Sequence, residues 1–178
     1  MDIFIEQLVK RSSKGIYLLM KIGIVIGALA LSGVLLLYSP YILGSFATFG
    51  FMLGFGVLYL GYMLLTSLNV EFEYIITNGE VDIDKIVAQR KRTRLENFKC
   101  KEVEAIGLYK KAEHANRQYG KVIKACIDEN DEKNTWYVNY RSPKNGNTLL
   151  IFTPSNEVLK TIKPILPRLL QKDVQLWD

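Results

Sequence analysis

Charged residues are missing from a long stretch in the N-terminal half of this sequence. No Asp, Glu, Lys or Arg occurs from residue 22 to residue 70, which leaves 49 consecutive residues without a formal charge. A soluble core helix does not need such a run, whereas a bilayer core about 30 Å thick takes ~20 apolar residues per helical crossing. The run therefore predicts two membrane crossings joined by a short connection.

Residues that commonly carry catalysis or bind metals are also scarce. The chain has one histidine, His114, and two cysteines, Cys100 and Cys126. It contains no G-x-S-x-G elbow, no G-x-x-x-x-G-K-[ST] loop and no G-x-G-x-x-G fingerprint. The cysteines and the histidine lack the close pairing of zinc ligands, and the acidic residues 128–132 lack the spacing of a calcium loop. We expect no enzymatic activity, no metal and no cofactor, with His114 exposed in a polar loop.

The excess of positive charge is small in the C-terminal part of the chain. Residues 1–69 hold four cations and two anions, and residues 70–178 hold 19 cations and 16 anions. A dedicated nucleic-acid-binding domain usually has a stronger basic excess. We therefore expect no nucleic-acid partner.

The apolar run divides at residues 39–41, "SPY", because Pro40 is suited to breaking a helix. The predicted crossings are residues 16–38 and 45–68, and they form a two-helix transmembrane hairpin over 16–68. Lys10, Arg11 and Lys14 precede the first crossing, Lys21 lies near its start, and the connection has no cation. The positive-inside rule then places both termini of this multi-pass membrane protein in the cytoplasm, with Lys21 reaching the headgroups. Residues 1–15 form either an interfacial amphipathic segment or a short helical extension.

Small residues recur at helical spacing in both predicted crossings. They are the residues that would let two helix backbones approach closely: Gly23, Gly27, Ala47, Gly50, Gly54 and Gly61. Two interpretations stay open. These faces pack the hairpin against itself, or they join copies of the chain into a homo-oligomer.

Residues 70–178 have the pattern of a small sheet followed by a helix. In "EFEYIITNGEVDIDKI" apolar and acidic residues alternate around Asn78-Gly79, a preferred type I′ turn pair, which predicts a β-hairpin. A basic third strand over 88–98, a strand over 103–109, a hairpin of "KVIKACI" with "TWYVNYR", and the strand "TLLIFTP" follow. Ser155 then caps a helix whose apolar stripe ends early because of Pro164 and Pro167; the stripe contains Leu159, Ile162, Leu166 and Leu169.

The order of these elements resembles a pleckstrin-homology-like (PH-like) domain. The stretch "FEYIITNGEVDIDKIVAQRKRTRL" looks like the opening of bacterial PH-like domains that follow paired transmembrane helices, and "TPSNEVLKTIKPILP" resembles the start of their final helix. The whole chain is similar to a family of small bacterial membrane proteins of unknown function. The resemblance implies an α+β domain, an antiparallel β meander or barrel with a C-terminal helix, over residues 70–178. It supplies no substrate.

A basic cluster in the third strand, Arg90, Lys91, Arg92 and Arg94, is the candidate binding site. If the acidic residues Glu80, Asp82 and Asp84 lie opposite it, cross-strand pairing neutralises it. If it is exposed, it favours contact with anionic lipid at the inner leaflet. Our first hypothesis is a membrane-anchored scaffold module that binds a protein partner or assembles with itself, and lipid binding is the alternative.

Overall fold

The computed structural model describes residues 3–174, which fall into two compact units. One unit is mostly β-structure and contains the chain before residue 12 together with the chain from residue 70 onwards. The other unit is helical and covers residues 12–69. Residues 1–2 of the predicted N-terminal segment and residues 175–178 of the predicted PH-like domain lie outside the described residues.

The first sheet is an antiparallel meander in the order β1-β2-β3-β4. Its strands are β1 (Phe4–Lys10), β2 (Val70–Thr77), β3 (Glu80–Val87) and β4 (Lys91–Lys99). Asn78 and Gly79 connect β2 to β3 with φ angles of 50° and 89°, the left-handed conformation that a type I′ turn requires. The predicted hairpin and the basic third strand are thereby confirmed.

Strand β1 was not expected from the sequence. Residues 4–10 form neither an interfacial helix nor a helical extension, so that prediction was wrong. Instead Phe4 pairs with Thr77 and Lys10 with Glu71, along the full length of β2. Val9 is buried in the core, whereas Phe4 and Leu8 are exposed. The alternation of buried and exposed residues along β1 has the period of two that a strand requires, and the pairing with β2 satisfies its backbone on one side.

The second sheet has the order β5-β7-β8-β6. Its strands are β5 (Val103–Leu108), β6 (Lys121–Ala125), β7 (Trp136–Ser142) and β8 (Gly146–Phe152). The predicted hairpin of β6 with β7 was wrong, because β6 pairs in parallel with β8, and β7 lies between β5 and β8. Buried and more exposed residues alternate along β6 and along β7, as in other strands. This alternation does not determine which strand pairs with which.

The core of this unit lies between the sheets and is closed by a short C-terminal helix, α4 (Asn156–Ile162). The Ser155 side chain accepts a hydrogen bond from the backbone of Val158, as predicted for the cap. The helix ends at Ile162 and a 3-10 turn, Lys163–Ile165, follows at Pro164. Leu169 is 84% exposed, so it does not belong to the buried stripe. The chain has left the α-helical path before reaching it.

The helical unit consists of α1 (Ile16–Leu43), a 3-10 turn (Gly44–Phe46) and α2 (Ala47–Ser67). Taken as one continuous segment, residues 16–67 are long and apolar enough to cross a membrane by length and composition. Pro40 does not break the helix, contrary to expectation. It lies in the last turn of α1, and the chain turns at Gly44, whose φ of 52° suits glycine.

Small residues of α2 lie where the two helices meet. A Cβ at Gly54 would lie 2.9 Å from the Leu36 side chain, and one at Gly61 would lie 2.7 Å from Cβ of Ala28. Gly50 meets Ser39 in the same way, and Ala47 is half-buried. Successive glycines along α2, Gly50, Gly54 and Gly61, meet residues progressively earlier in α1: Ser39, Leu36 and Ala28. The two helices therefore run antiparallel. Among the described residues nothing lies within 4 Å of such a Cβ at Gly23 or Gly27.

Candidate functional site

The four residues of the basic cluster lie at the start of β4 and in the turn before it. Ala88 and Gln89 have φ angles of 54° and 56° and form the turn, which is closed by a hydrogen bond from the Arg90 backbone to Val87 O. Lys91 begins β4. The tight turn places Arg90 and Lys91 at the tip of the β3–β4 hairpin, and it directs the chain back along β3.

Arg92 and Arg94 are held by carboxylates of the two neighbouring strands. Arg92 donates to Asp84 at 2.6 Å through Nε, and through Nη2 it donates to Glu73. Arg94 donates to Asp84 at 3.1 Å and pairs with Asp82 at 3.3 Å. We name this set of five side chains the charge ladder. It runs across β2, β3 and β4 on the face of the first sheet that points away from the core.

Two of the ladder's carboxylates are deeply buried. The exposed fractions of Glu73 and Asp84 are 6% and 3%. A buried carboxylate is costly unless a cation and hydrogen bonds compensate it, so the arginines are needed where they are. The hydrogen bond to Asp84, and then the charge of Asp82, raise the pKa of Arg94 above its ordinary value. The ladder therefore belongs to the framework of the sheet.

Sequence reasoning identified only part of this arrangement. Asp82 and Asp84 are partners of the arginines, as one alternative predicted. Glu80 is not, because it pairs with Lys99 at 3.8 Å. Glu73 was missed, although its place on the acidic face of β2 carried a signal. A register shift between Ile83 and Asp84 breaks the one-to-one pairing of β3 with β4, and alternation in the sequence does not reveal such a bulge.

The tip of the hairpin differs from the ladder in that it retains free positive charge. Arg90 and Lys91 are exposed. Within residues 3–174, neither of them forms an ion pair. The structure thus divides the cluster into two paired residues and two exposed ones.

A second group of titratable side chains surrounds His114, which is not the exposed loop residue that was expected. His114 ends the short helix α3 (Lys111–His114) and is 7% exposed. Its ring stacks on Tyr109 with centroids 5.3 Å apart, and Nδ1 lies 2.6 Å from the Tyr119 hydroxyl. Burial, followed by the positive charge of Arg117, lowers the pKa of His114. A neutral imidazole in an aromatic cluster results.

The two cysteines lie in different hydrophobic clusters, Cys100 in the main core and Cys126 in a smaller cluster that also contains Tyr109. Cys100 and Cys126 are buried and free, and burial raises the pKa of each thiol to about 11. Thiols in such surroundings are poor nucleophiles at neutral pH. In the part of the chain that the structure describes, no group of three His, Cys, Asp or Glu side chains is arranged to hold a metal ion.

Comparison with known proteins identifies one relationship. The chain matches the model of a family described as Bacterial PH-like domain (DUF6106) over residues 1–172. No curated protein matches the chain. No solved structure matches it either. The matched range includes the residues of β1 and of the helical segment as well as those of the two sheets.

Proposed function

This chain belongs to the bacterial PH-like domain family, and we propose that it is a membrane-anchored module that binds a protein partner. A PH-like domain suggests a binding or scaffold role, and the proposed role involves no catalysis. One element, strand β1, carries the proposal, because it bears both on the anchoring of the module and on the recruitment of the partner.

The pairing of β1 with β2 supports two membrane crossings. The Arg11 backbone donates to Val70 O at 3.0 Å, so the residues that flank the helical unit in sequence are neighbours in one sheet. An uninterrupted helix of the 52 residues 16–67 would be about 78 Å long and would separate those flanks. Two antiparallel helices instead return the chain to the side from which it came.

The charges at the base of the helices support a cytoplasmic location for that side. Lys10, Arg11 and Lys14 precede the first helix and Lys21 lies in its second turn. Cytoplasmic flanks of membrane helices are rich in such residues. The Lys21 ammonium donates to Ser13 Oγ and to Asn69 Oδ1, each at 2.9 Å. Ser13 and Asn69 lie at the two ends of the helical unit, and both bind Lys21. This supports placing both ends of the unit at the same face of the membrane.

Labelling of introduced cysteines tests this topology. Cysteine replaces Tyr41, which is exposed near the helix connection, or Lys144, which is exposed in the β7–β8 turn. We expect an impermeant maleimide to label Tyr41→Cys in right-side-out membrane vesicles and Lys144→Cys in inverted vesicles. The unsubstituted chain is the control for Cys100 and Cys126. Labelling of both variants from one side would contradict two crossings.

The outer side of β1 supports recruitment of a protein partner. Within the described residues β1 pairs only with β2 and forms an edge of the first sheet. Its exposed face carries Phe4 and Leu8, which are 63% and 57% exposed. An edge strand presents unpaired backbone groups that can accept an added strand, and two exposed apolar side chains would contribute to binding an added strand.

Site-specific photo-crosslinking in native membranes tests this recruitment. A photoreactive phenylalanine analogue replaces Phe4 or Leu8 in turn, and the same analogue at Lys144 is the control. We expect a discrete protein adduct from positions 4 and 8 and none from position 144. An adduct of twice the chain's mass would identify the partner as a second copy. If the β1 positions give no protein adduct, or only the pattern of the control, binding at β1 is refuted.

Anionic-lipid binding remains the second candidate because Arg90 and Lys91 are exposed. Each cation near an anionic surface contributes about 1 kcal/mol, so this pair contributes roughly 2 kcal/mol. Arg92 and Arg94 add little, because the charge ladder already pairs them. We therefore propose that lipid contact at the hairpin tip assists the module and does not define its role.

A further inference from the structure

A cavity that opens widely to solvent lies against the outer face of the second sheet. Its volume is about 610 Å³, within the range of small-molecule sites. The segment 109–119, which carries α3, contributes one wall, and β6 and β8 contribute another through Val122, Lys124 and Leu149. None of these residues belongs to the charge ladder or to β1, so the cavity is separate from both surfaces discussed above.

The cavity has a positive lining. Lys111, Arg117 and Lys124 line it together with one acid, Glu129. Lys124 and Glu129 pair with each other at 2.6 Å, and their charges compensate. Among residues 3–174, Lys111 and Arg117 form no ion pair. Two uncompensated cations therefore face a cavity whose acid is already engaged.

Aromatic side chains also line the cavity. Tyr109 and Tyr119 line the cavity with His114 between them, at centroid distances of 5.3 and 6.0 Å from its ring. His114 Nδ1 is engaged by Tyr119, whereas Nε2 is buried and has no hydrogen-bond partner within the described residues. Buried polar atoms are rarely left unpaired, and each exception calls for an explanation.

We propose that this cavity binds a small organic anion with a planar apolar body. Its anionic group, a carboxylate or a phosphate, lies between Lys111 and Arg117, and its body lies against Tyr119 and Val122. Cations and aromatic faces in one cavity recognise both parts of such a molecule. The proposal does not rest on partner binding at β1.

Calorimetric titration of the full chain in detergent micelles tests the proposal. The probes are phenyl phosphate, benzoate and inorganic phosphate. We expect saturable binding of at least one aromatic probe, and the stronger of the two identifies the anionic group. Inorganic phosphate should bind at least tenfold more weakly than phenyl phosphate, because it lacks the apolar body. Inorganic phosphate binding as tightly as both aromatic probes would overturn the organic-anion assignment.

Two variants and a matched control locate the binding. Arg117→Gln and Lys111→Gln should each weaken binding of the better probe about tenfold, the loss expected for one charged hydrogen bond. Lys110→Gln removes the same charge one residue away, from a side chain that pairs with Glu113 at 3.2 Å and does not line the cavity. It should bind as the unsubstituted chain does. Equal losses in all three variants, or no saturable binding of either aromatic probe at millimolar concentration, would overturn the proposal.

Discussion

Replacing residues 12–69 by Asn-Gly should yield a water-soluble, folded domain, whereas a fragment of residues 70–178 should not fold stably. Arg11 and Val70 are hydrogen-bonded neighbours, so a two-residue type I′ turn can join β1 directly to β2. The replacement removes the helical unit, residues 12–69, and retains every strand of both sheets. The fragment from residue 70 lacks β1.

The loss of β1 affects the core as well as the edge of the sheet. Val9 is buried, and the Gln7 side chain donates to Thr153 O at 3.2 Å and accepts from Ser155 N at 2.8 Å. Burial of one aliphatic side chain stabilises by about 1.5–3 kcal/mol, and each hydrogen bond by about 1 kcal/mol. We expect the fragment to be less stable by roughly 3–5 kcal/mol. That difference corresponds to a melting temperature about 10–20 °C lower, together with aggregation through the open edge of β2.

Gel filtration and thermal melts followed by circular dichroism compare the joined domain with the fragment. The control is a joined domain with Gly-Ser-Gly-Ser at the junction, which keeps β1 but relaxes the turn. It should remain folded with a slightly lower melting temperature. Equal stability of the fragment and the joined domain would show that β1 contributes nothing. An insoluble joined domain would show that the sheets need the helical unit.

Arg92→Gln should destabilise the domain markedly, whereas Arg90→Gln should have almost no effect. Both changes remove one positive charge from the same cluster. Arg92 is the cation that binds both Glu73 and Asp84, and Asp84 retains only Arg94 when it is lost. Removing one partner of a buried pair costs about 3–5 kcal/mol. Arg92 is half-exposed, so water can reach the site that it vacates. We therefore expect the free energy of unfolding to fall by roughly 2 kcal/mol.

Denaturant unfolding of the full chain in micelles measures the difference between the two variants. Surface substitutions such as Arg90→Gln usually change stability by less than about 0.5 kcal/mol. Adding Glu73→Gln to Arg92→Gln should restore part of the loss, because the carboxylate left without its cation is removed as well. If Arg90→Gln and Arg92→Gln destabilise equally, the charge ladder is not what distinguishes the two residues. If Glu73→Gln adds to the damage, the two side chains do not act together.

Local patterns in the sequence predicted those elements whose cause is local. Alternation and the Asn78-Gly79 pair predicted β2 and β3, and the cap at Ser155 and the prolines after it predicted a short C-terminal helix. The uncharged run predicted long apolar helices. The prediction failed at Pro40, which lies inside α1 although its missing N–H and its ring disfavour a helix interior. The chain turns instead four residues later, at Gly44, whose φ of 52° suits glycine.

The candidate sites were predicted less completely than the elements that carry them. The basic cluster was found from composition, and the acidic partners on β3 were found from alternation. The pairing of the third acid, Glu73, could not be found in this way, because it requires the Arg92 side chain to reach from β4 past β3 to β2. The aromatic surroundings of His114 come from Tyr109, Tyr119 and Tyr137, and nothing near His114 in sequence indicates that Tyr137 packs on it.

The sequence by itself determined that this chain has a long apolar helical segment and a domain of strands with a short terminal helix. Charge distribution, residue periodicity and turn chemistry act over a few residues, so they can be read directly. Only the tertiary structure decided that residues 4–10 form a strand beside β2, that β6 lies beside β8, and that two of four clustered cations are paired. These outcomes join residues far apart in sequence. Closing a longer loop costs little more free energy than closing a shorter one, so sequence distance gives little guidance about which strands will meet.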